Sequence, residues 1–272
     1  MNLLNGDCLQ ILPTLGEQSF DLVVTSPPYN LGIDYNTFKD TASRTDFLDW
    51  CRSWATEIRR VMADDASFFL NVGAAPANPL MPYQLLLALT DGPSPLFILQ
   101  NTFHWIKSIS VETRSGEIIS AGHFKPINSP RFVNDCHEFV FHLTKSGKVP
   151  LDRRGAGVPY QDKSNISRWG HTGGVDKRCR GNTWFIPYDT IQSRDQERPH
   201  PATFPVGLVE QCIRIHGKGE ATRLLDPFLG IGTSAVAAQS MKLSHFTGIE
   251  LDSYYLSVAH DRLKTPPQTE LF

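Results

Sequence analysis

The chain has 272 residues, of which 40% are hydrophobic and 20% charged, and a formal net charge of −2. That composition supports one large globular domain, or a domain with an insert, and excludes both a disordered chain and a uniformly basic nucleic-acid coat. No basic leader precedes an apolar stretch and no run reaches the about 18 apolar residues of a membrane span, so a cytoplasmic location and no membrane partner are expected.

Asn2 to Asp7 reads as a very short strand ending in a Gly-Asp turn, and Cys8 to Leu15 as a short helix with Leu9, Ile11, Leu12 and Leu15 inward. Phe20-Asp21-Leu22-Val23-Val24-Thr25-Ser26-Pro27-Pro28-Tyr29 starts as an apolar strand without alternation, as in a central parallel strand covered on both faces. Pro27 and Pro28 cannot donate ladder hydrogen bonds, so the strand stops there. The result is a rigid projection at the carboxyl end of a strand, where open α/β sheets bind ligands, and it carries a hydroxyl, free carbonyls and an aromatic ring. Asn30 to Arg44 is polar and reads as a mobile surface loop that closes over something bound beside Tyr29.

Thr45 to Met62 has Phe47, Trp50, Trp54, Ile58 and Val61 at helical spacing, with both tryptophans read as core. Ala66 to Gly73 is a strand, Pro82 to Leu89 a helix, and Leu96 to Lys107 and Cys136 to Leu143 are apolar, aromatic-rich strands. The polar span between them, Glu112 to Pro130, is a hairpin or an ordering loop. From Lys145 to about Tyr188 the pattern breaks into an irregular insert rich in glycine and arginine, with Trp169 and Trp184 interleaved. Residues 145–200 hold eleven Lys/Arg against six acids, while the remainder holds 15 against 22, so a basic segment sits in an otherwise acidic chain. Such a segment suits a phosphate-contacting surface, although an ordinary solvated loop has the same composition. Phe204 to Ile215 returns to helical spacing. Arg223 to Pro227 is a strand, Thr233 to Met241 a helix, His245 to Leu251 a strand, and Ser253 to Lys264 a helix capped by Ser253. Thr265 to Phe272 reads as a frayed tail. The alternation of β and α implies a three-layer α/β domain with a mostly parallel sheet.

The five cysteines (Cys8, Cys51, Cys136, Cys179 and Cys212) are odd in number and form no C-x-x-C pair. Free thiols are expected, with no disulfide framework. His137 and His142 beside Cys136 lack finger-like spacing, so no metal site is expected.

A second site lies in Leu224-Leu225-Asp226-Pro227-Phe228-Leu229-Gly230-Ile231-Gly232-Thr233, a strand, a glycine turn and a helix start. Gly230 and Gly232 allow close backbone approach, and the first N–H groups of the helix suit an anionic group. The spacing is neither G-x-x-x-x-G-K-[ST] nor G-x-G-x-x-G. Glu250, at the end of the next strand, stands where an acid can accept hydrogen bonds from ribose hydroxyls. Together these features point to a nucleoside ligand that carries a carboxylate rather than a pyrophosphate.

Asp226-Pro227-Phe228-x-Gly230-x-Gly232-Thr233, with Glu250 beyond it and Thr25-Ser26-Pro27-Pro28-Tyr29 elsewhere, closely resembles the S-adenosylmethionine-dependent DNA amino-methyltransferases, which act on the N4 of cytosine or the N6 of adenine. The resemblance spans nearly the whole chain and includes Asn5-Gly6-Asp7-Cys8 and His200-Pro201-Ala202-x-Phe204-Pro205. The catalytic strand comes first and the cofactor strand near the end, as in the family's circularly permuted β-type, so the fold implied is the Rossmann-like methyltransferase fold with a DNA-recognition insert. It divides into a catalytic half (1–144), a target-recognition insert (145–188) and a cofactor-binding half (189–272), with the helix at 253–264 leading back to the strand at 2–5.

By that resemblance the cofactor is S-adenosylmethionine. Asp7 and Cys8 lie near its adenine, and Glu250 with Leu251 at its ribose. Asp226, Pro227, Phe228, Gly230, Gly232 and Thr233 hold the amino-acid end, and His200, Pro201 and Phe204 cover the methionine moiety. Ser26 and the Pro27 carbonyl accept hydrogen bonds from the target amine, Pro28 stiffens the projection, and Tyr29 stacks on a base flipped out of the duplex. Arg153, Arg154, Arg168, Lys177, Arg178 and Arg180 are the candidate contacts to double-stranded DNA. The family also admits a homodimer and a cognate restriction endonuclease acting on the same site. Serine at position 26 favours cytosine N4, with adenine N6 as the alternative and an RNA or protein-glutamine amine behind both. A C5-cytosine mechanism needs a nucleophilic thiolate, and no cysteine stands in a Pro-Cys context at a strand end.

Overall fold

The computed structural model describes residues 1–272 except 34, 77, 123–126, 188–199, 201 and 265–272. Pro201, Arg194, Arg198 and the tail expected to fray therefore lie outside the described residues.

The apolar run opens β2 (Phe20–Thr25), in which every residue is buried. It pairs in parallel with β3 (Met62–Val72) on one side and β9 (Arg223–Asp226) on the other. Alternate side chains enter two cores. Val23 packs with the helices α1 (Cys8–Ile11), α2 (Arg44–Val61) and α3 (Met81–Thr90), whereas Leu22 and Val24 pack with α5 (Val206–His216), α6 (Thr233–Ser240) and α7 (Ser253–Lys264). This is the expected three-layer arrangement.

In the main sheet β1 (Asn2–Asn5), β10 (His245–Glu250), β9, β2 and β3 run parallel. β7 (His137–Thr144) is antiparallel to both β3 and β4 (Ile98–Ile106), so it alone is reversed among the described strands of this sheet. With β8 (Thr183–Phe185) at the far edge, the eight strands take the order β1-β10-β9-β2-β3-β7-β4-β8. The direct pairing of β1 with β10 joins the start of the chain to its last strand, as the permuted order requires.

Local differences from the sequence reading have local causes. The first helix stops at Ile11 and continues as a 3-10 turn over Leu12–Thr14, because Pro13 removes a backbone donor. α7 is capped by Asp252, whose Oδ1 accepts from the N–H groups of Tyr254 (2.8 Å) and Tyr255 (3.2 Å), one residue before the serine expected to do so. The span after β4 is a hairpin of β5 (Ser108–Glu112) and β6 (Ile118–Gly122).

Within the insert, α4 (Ser164–Arg168) is a single short turn of helix, and β8 joins the edge of the main sheet in parallel with β4. Trp184 is buried and stacks on Phe103 with ring centroids 4.4 Å apart. It is therefore a core residue and not a platform for a nucleic-acid base, whereas Trp169 is exposed. Among the described residues no helix is long and apolar enough to cross a membrane.

Candidate active site

The carboxyl ends of β1, β10, β9 and β2 open on a partly open cavity. Both sequence motifs reach it. Following the sheet order, Ser26, Pro27, Pro28 and Tyr29 after β2 line one end, Asp7 and Cys8 after β1 line the other, and Pro227, Phe228, Gly230, Thr233, Glu250 and Leu251 after β9 and β10 lie between, with His200 and Phe204 also on the wall. Asp226 and Gly232, expected at the amino-acid end of the cofactor, do not line it.

Asp226 works behind the cavity wall. Its buried carboxylate accepts hydrogen bonds from Thr25 Oγ1 (2.6 Å), Ser234 Oγ (2.5 Å) and the Phe228 N–H (3.1 Å). It therefore ties the end of the catalytic strand to the cofactor turn and to the start of α6. Burial raises its pKa, and the three donors oppose that rise. Gly232 holds the left-handed conformation at φ 80°, and a Cβ there would lie 2.7 Å from Ala259 Cβ. Its glycine serves the packing of α6 on α7.

Glu250 accepts from the N–H groups of Gly230 (2.7 Å) and Asp252 (2.8 Å), and burial raises its pKa. These bonds fix its direction and leave each carboxylate oxygen a further acceptor site for hydroxyls. Asp7 caps α1 through the Leu9 N–H (2.9 Å) while lining the cavity. Burial, followed by the neighbouring Asp7 carboxylate, pushes the Cys8 thiol up to about 12, so it is neither thiolate nor nucleophile.

The loop after Tyr29 is strapped rather than loose. Asn30 turns the chain at φ 56°, and the buried Asp40 carboxylate accepts from the N–H groups of Asn30 (2.7 Å), Leu31 (2.9 Å) and Ile33 (3.2 Å). This strap places Tyr35 and Phe38 over the cavity. Tyr35 faces His200 with ring centroids 5.5 Å apart, and His200 meets Tyr255 edge-on at 4.6 Å. Trp50, read from the sequence as core, also lines the cavity, between Phe38 (5.4 Å) and Phe228 (5.6 Å). Its helical spacing is that of any core tryptophan, so nothing in the sequence marked it.

This chemistry fits S-adenosylmethionine. Aromatic faces suit both an adenine ring and a sulfonium cation, the fixed Glu250 carboxylate suits ribose hydroxyls, and the acidic Asp7 and Glu250 suit a cationic guest. Among the described residues no cluster of side chains could hold a metal ion.

At the other end, Ser26 Oγ and Tyr29 Oη are in short hydrogen-bond contact. Asn71, at the end of β3, donates from Nδ2 to both, and to Glu138. Neither Asn71 nor Glu138 carries a motif in the sequence.

Of the basic residues expected to contact DNA, Arg153, Arg154, Arg168, Lys177 and Arg178 are exposed and Arg180 is half-buried. Arg154 donates to the carbonyls of Thr172 and His171, and Arg180 donates to that of Ala156, so both also hold the insert together.

The family model described as DNA methylase, for N6 and N4 methyltransferases, matches residues 20–261. The type II methyltransferase M.ScaI of Streptomyces caespitosus is 29% identical, over 98% of this chain and 82% of its own length. M.Cfr9I of Citrobacter freundii is 28% identical, over 96% and 87%. The fold is that of the PvuII DNA methyltransferase, described as cytosine-N4-specific (TM-score 0.69, 19% identity, 99% of this chain and 87% of that one). It is also that of a putative DNA modification methylase from Thermus thermophilus complexed with S-adenosyl-L-methionine (TM-score 0.59, 22% identity, 96% and 92%). With both motifs brought to one cavity and the family model spanning most of its length, the chain belongs to the N6/N4 DNA methylases and is an S-adenosylmethionine-dependent DNA amino-methyltransferase.

Proposed function

We propose that the enzyme methylates the exocyclic N4 of cytosine in double-stranded DNA. The observation that carries this reading is the neutral hydroxyl of Ser26 at the position where adenine enzymes more usually present an acid. The cytosine-N4 description of the PvuII enzyme supports the same choice.

When bound, S-adenosylmethionine supplies an electrophilic methyl group on a cationic sulfonium. The amine of cytosine is a poor nucleophile, because its lone pair is delocalised into the ring. Ser26 Oγ and the Pro27 carbonyl accept hydrogen bonds from that amine, localise the lone pair and aim it along the cavity. Pro27 and Pro28 keep this end stiff, and Tyr29 stacks on the flipped base. Positioning and electrostatics supply the acceleration. The insert over 145–188 serves as the recognition segment, with Arg153, Arg154, Arg168, Lys177 and Arg178 facing the duplex and Arg180 beside them. The type II names of the curated relatives extend the proposal to a cognate restriction endonuclease at the same site.

The test is mass spectrometry of nucleosides from DNA methylated by the protein. N4-methylcytosine is expected, and N6-methyladenine without N4-methylcytosine would refute the base assignment. Ser26→Ala and Tyr29→Ala are expected to abolish transfer while still binding cofactor, and loss of cofactor affinity in both would refute their roles.

A further inference from the structure

β7 is reversed in the sheet, so its amino end, not its carboxyl end, lies beside the ends of β2 and β3. This brings Glu138 to the catalytic projection from a strand that carries no motif. The Glu138 side chain is only 12% exposed and stands behind the cavity wall. Its Oε2 accepts from Asn71 Nδ2 (2.7 Å) and from Tyr29 Oη (3.3 Å), and its Oε1 accepts from Lys107 Nζ (3.2 Å). Gly73 packs against it closely, and a Cβ there would lie 3.1 Å from Glu138 Cδ.

The network fixes where each proton points. A carboxylate only accepts, so the Asn71 group facing it is the NH₂, whose second hydrogen goes to Tyr29 Oη (2.8 Å), with Ser26 Oγ beside it at 3.3 Å. The Tyr29 hydroxyl has two acceptors, the Asn71 carbonyl (3.1 Å) and Glu138. Its single proton goes to one or the other, the backbone carbonyl of Asn71 or Glu138, and the short contact with Ser26 is left for the serine proton. Ser26 therefore donates to Tyr29 and turns its remaining lone pair outwards, towards the amine.

We propose that Glu138 is a positioning residue for methyl transfer: through Tyr29 it holds Ser26 as an acceptor and takes up the proton that the methylated amine releases. The proposal rests on the role given above to Ser26 and holds for either base. The amine nitrogen forms the new N–C bond as the C–S bond breaks and its electron pair stays on sulfur. The resulting exocyclic ammonium has lost conjugation with its ring and is strongly acidic. Its proton passes to Ser26 Oγ, the serine proton to Tyr29 Oη, and the tyrosine proton to Glu138. The positive charge of the sulfonium and the negative charge of Glu138 are thereby both cancelled. Lys107 anchors the carboxylate by its other oxygen, leaving Oε2 turned towards Tyr29.

The experiment measures transfer of labelled methyl groups to unmethylated genomic DNA by the native protein, Ser26→Ala, Glu138→Gln and Glu138→Asp, with cofactor affinity by calorimetry. Glu138→Gln preserves shape but removes the proton acceptor. Its kcat is expected to fall about 100-fold, at the lower end of general-base effects, while KM for DNA and the cofactor Kd stay within about twofold. Glu138→Asp is expected to recover at least about tenfold over glutamine. A Glu138→Gln kcat within about threefold of native overturns the proposal, as does equal loss in the Gln and Asp variants. If Ser26→Ala is inactive while Glu138→Gln is active, this proposal alone fails. If Ser26→Ala keeps the native rate, the role of Ser26 fails with it.

Discussion

Asp226 separates a residue that contacts the ligand from one that builds the site. Asp226→Ala leaves the Thr25 hydroxyl, the Ser234 hydroxyl and the Phe228 N–H without their acceptor. At about 1 kcal/mol for each stranded donor, the loss is about 3 kcal/mol. For a chain of this size that corresponds to a fall in Tm of about 6 °C. Asp226→Asn is isosteric. Its Oδ1 still accepts from Thr25 and Phe228, and the Ser234 hydroxyl can rotate to accept from the new NH₂, so stability should stay within about 1 kcal/mol of native.

The asparagine variant also carries a pH signature. Burial raises the pKa of Asp226 in the folded protein. The cost of burying its charge is therefore absent below the unfolded pKa of about 3.9 and grows as pH rises through the folded pKa. Because asparagine carries no such cost, the variant's stability relative to native should increase over that window and then level off. Thermal and urea denaturation across pH, with calorimetry of S-adenosylmethionine binding, measures all three quantities. Asp226→Asn should bind cofactor within about threefold of native, since the residue does not line the cavity. A loss of cofactor affinity beyond about tenfold with an unchanged Tm would show that Asp226 meets the ligand, and would refute the reasoning.

Gly232→Ala places a Cβ at φ 80° and 2.7 Å from Ala259, and is expected to cost about 1–3 kcal/mol in urea unfolding. Asp21 is only 10% exposed. Burial opposes its charge, but hydrogen bonds from Arg223 and the Lys218 cation outweigh this and hold its carboxyl well below the usual range. The contribution is present above the unfolded pKa near 3.9 and is lost as pH falls through the folded pKa. Asp21→Asn should therefore cost about 1–3 kcal/mol at neutral pH, and the difference from native should shrink in acid below about pH 4.

The sequence was most legible where covalent structure dictates conformation. Pro27 and Pro28 end a strand whatever surrounds them, and the apolar runs of β2 and β9 have only one place in such a sheet. Ligands bind at the carboxyl ends of parallel strands, and that rule marks Ser26 and Glu250. The same rule passed over Glu138, because β7 is reversed and offers its amino end. A three-residue strand such as β8 is too short to show a period, so Trp184 looked like part of a loop. A motif marks a position but not which way its side chain turns, and Asp226 turns its carboxylate onto Thr25, Ser234 and the Phe228 N–H.

The Thr25–Asp226 hydrogen bond spans 201 residues of chain. It also imposes an order of assembly. During synthesis β2, β3, β7 and β4 emerge long before β9, so the edge of β2 that will receive β9 stays unpaired while the insert is made. An apolar edge left open in this way invites pairing with other chains. A polypeptide stopped before residue 223 has the catalytic projection but no strand to complete the sheet beside it and no turn to hold cofactor. The permuted order therefore couples completion of the sheet to the onset of activity, and an unfinished chain cannot mark DNA.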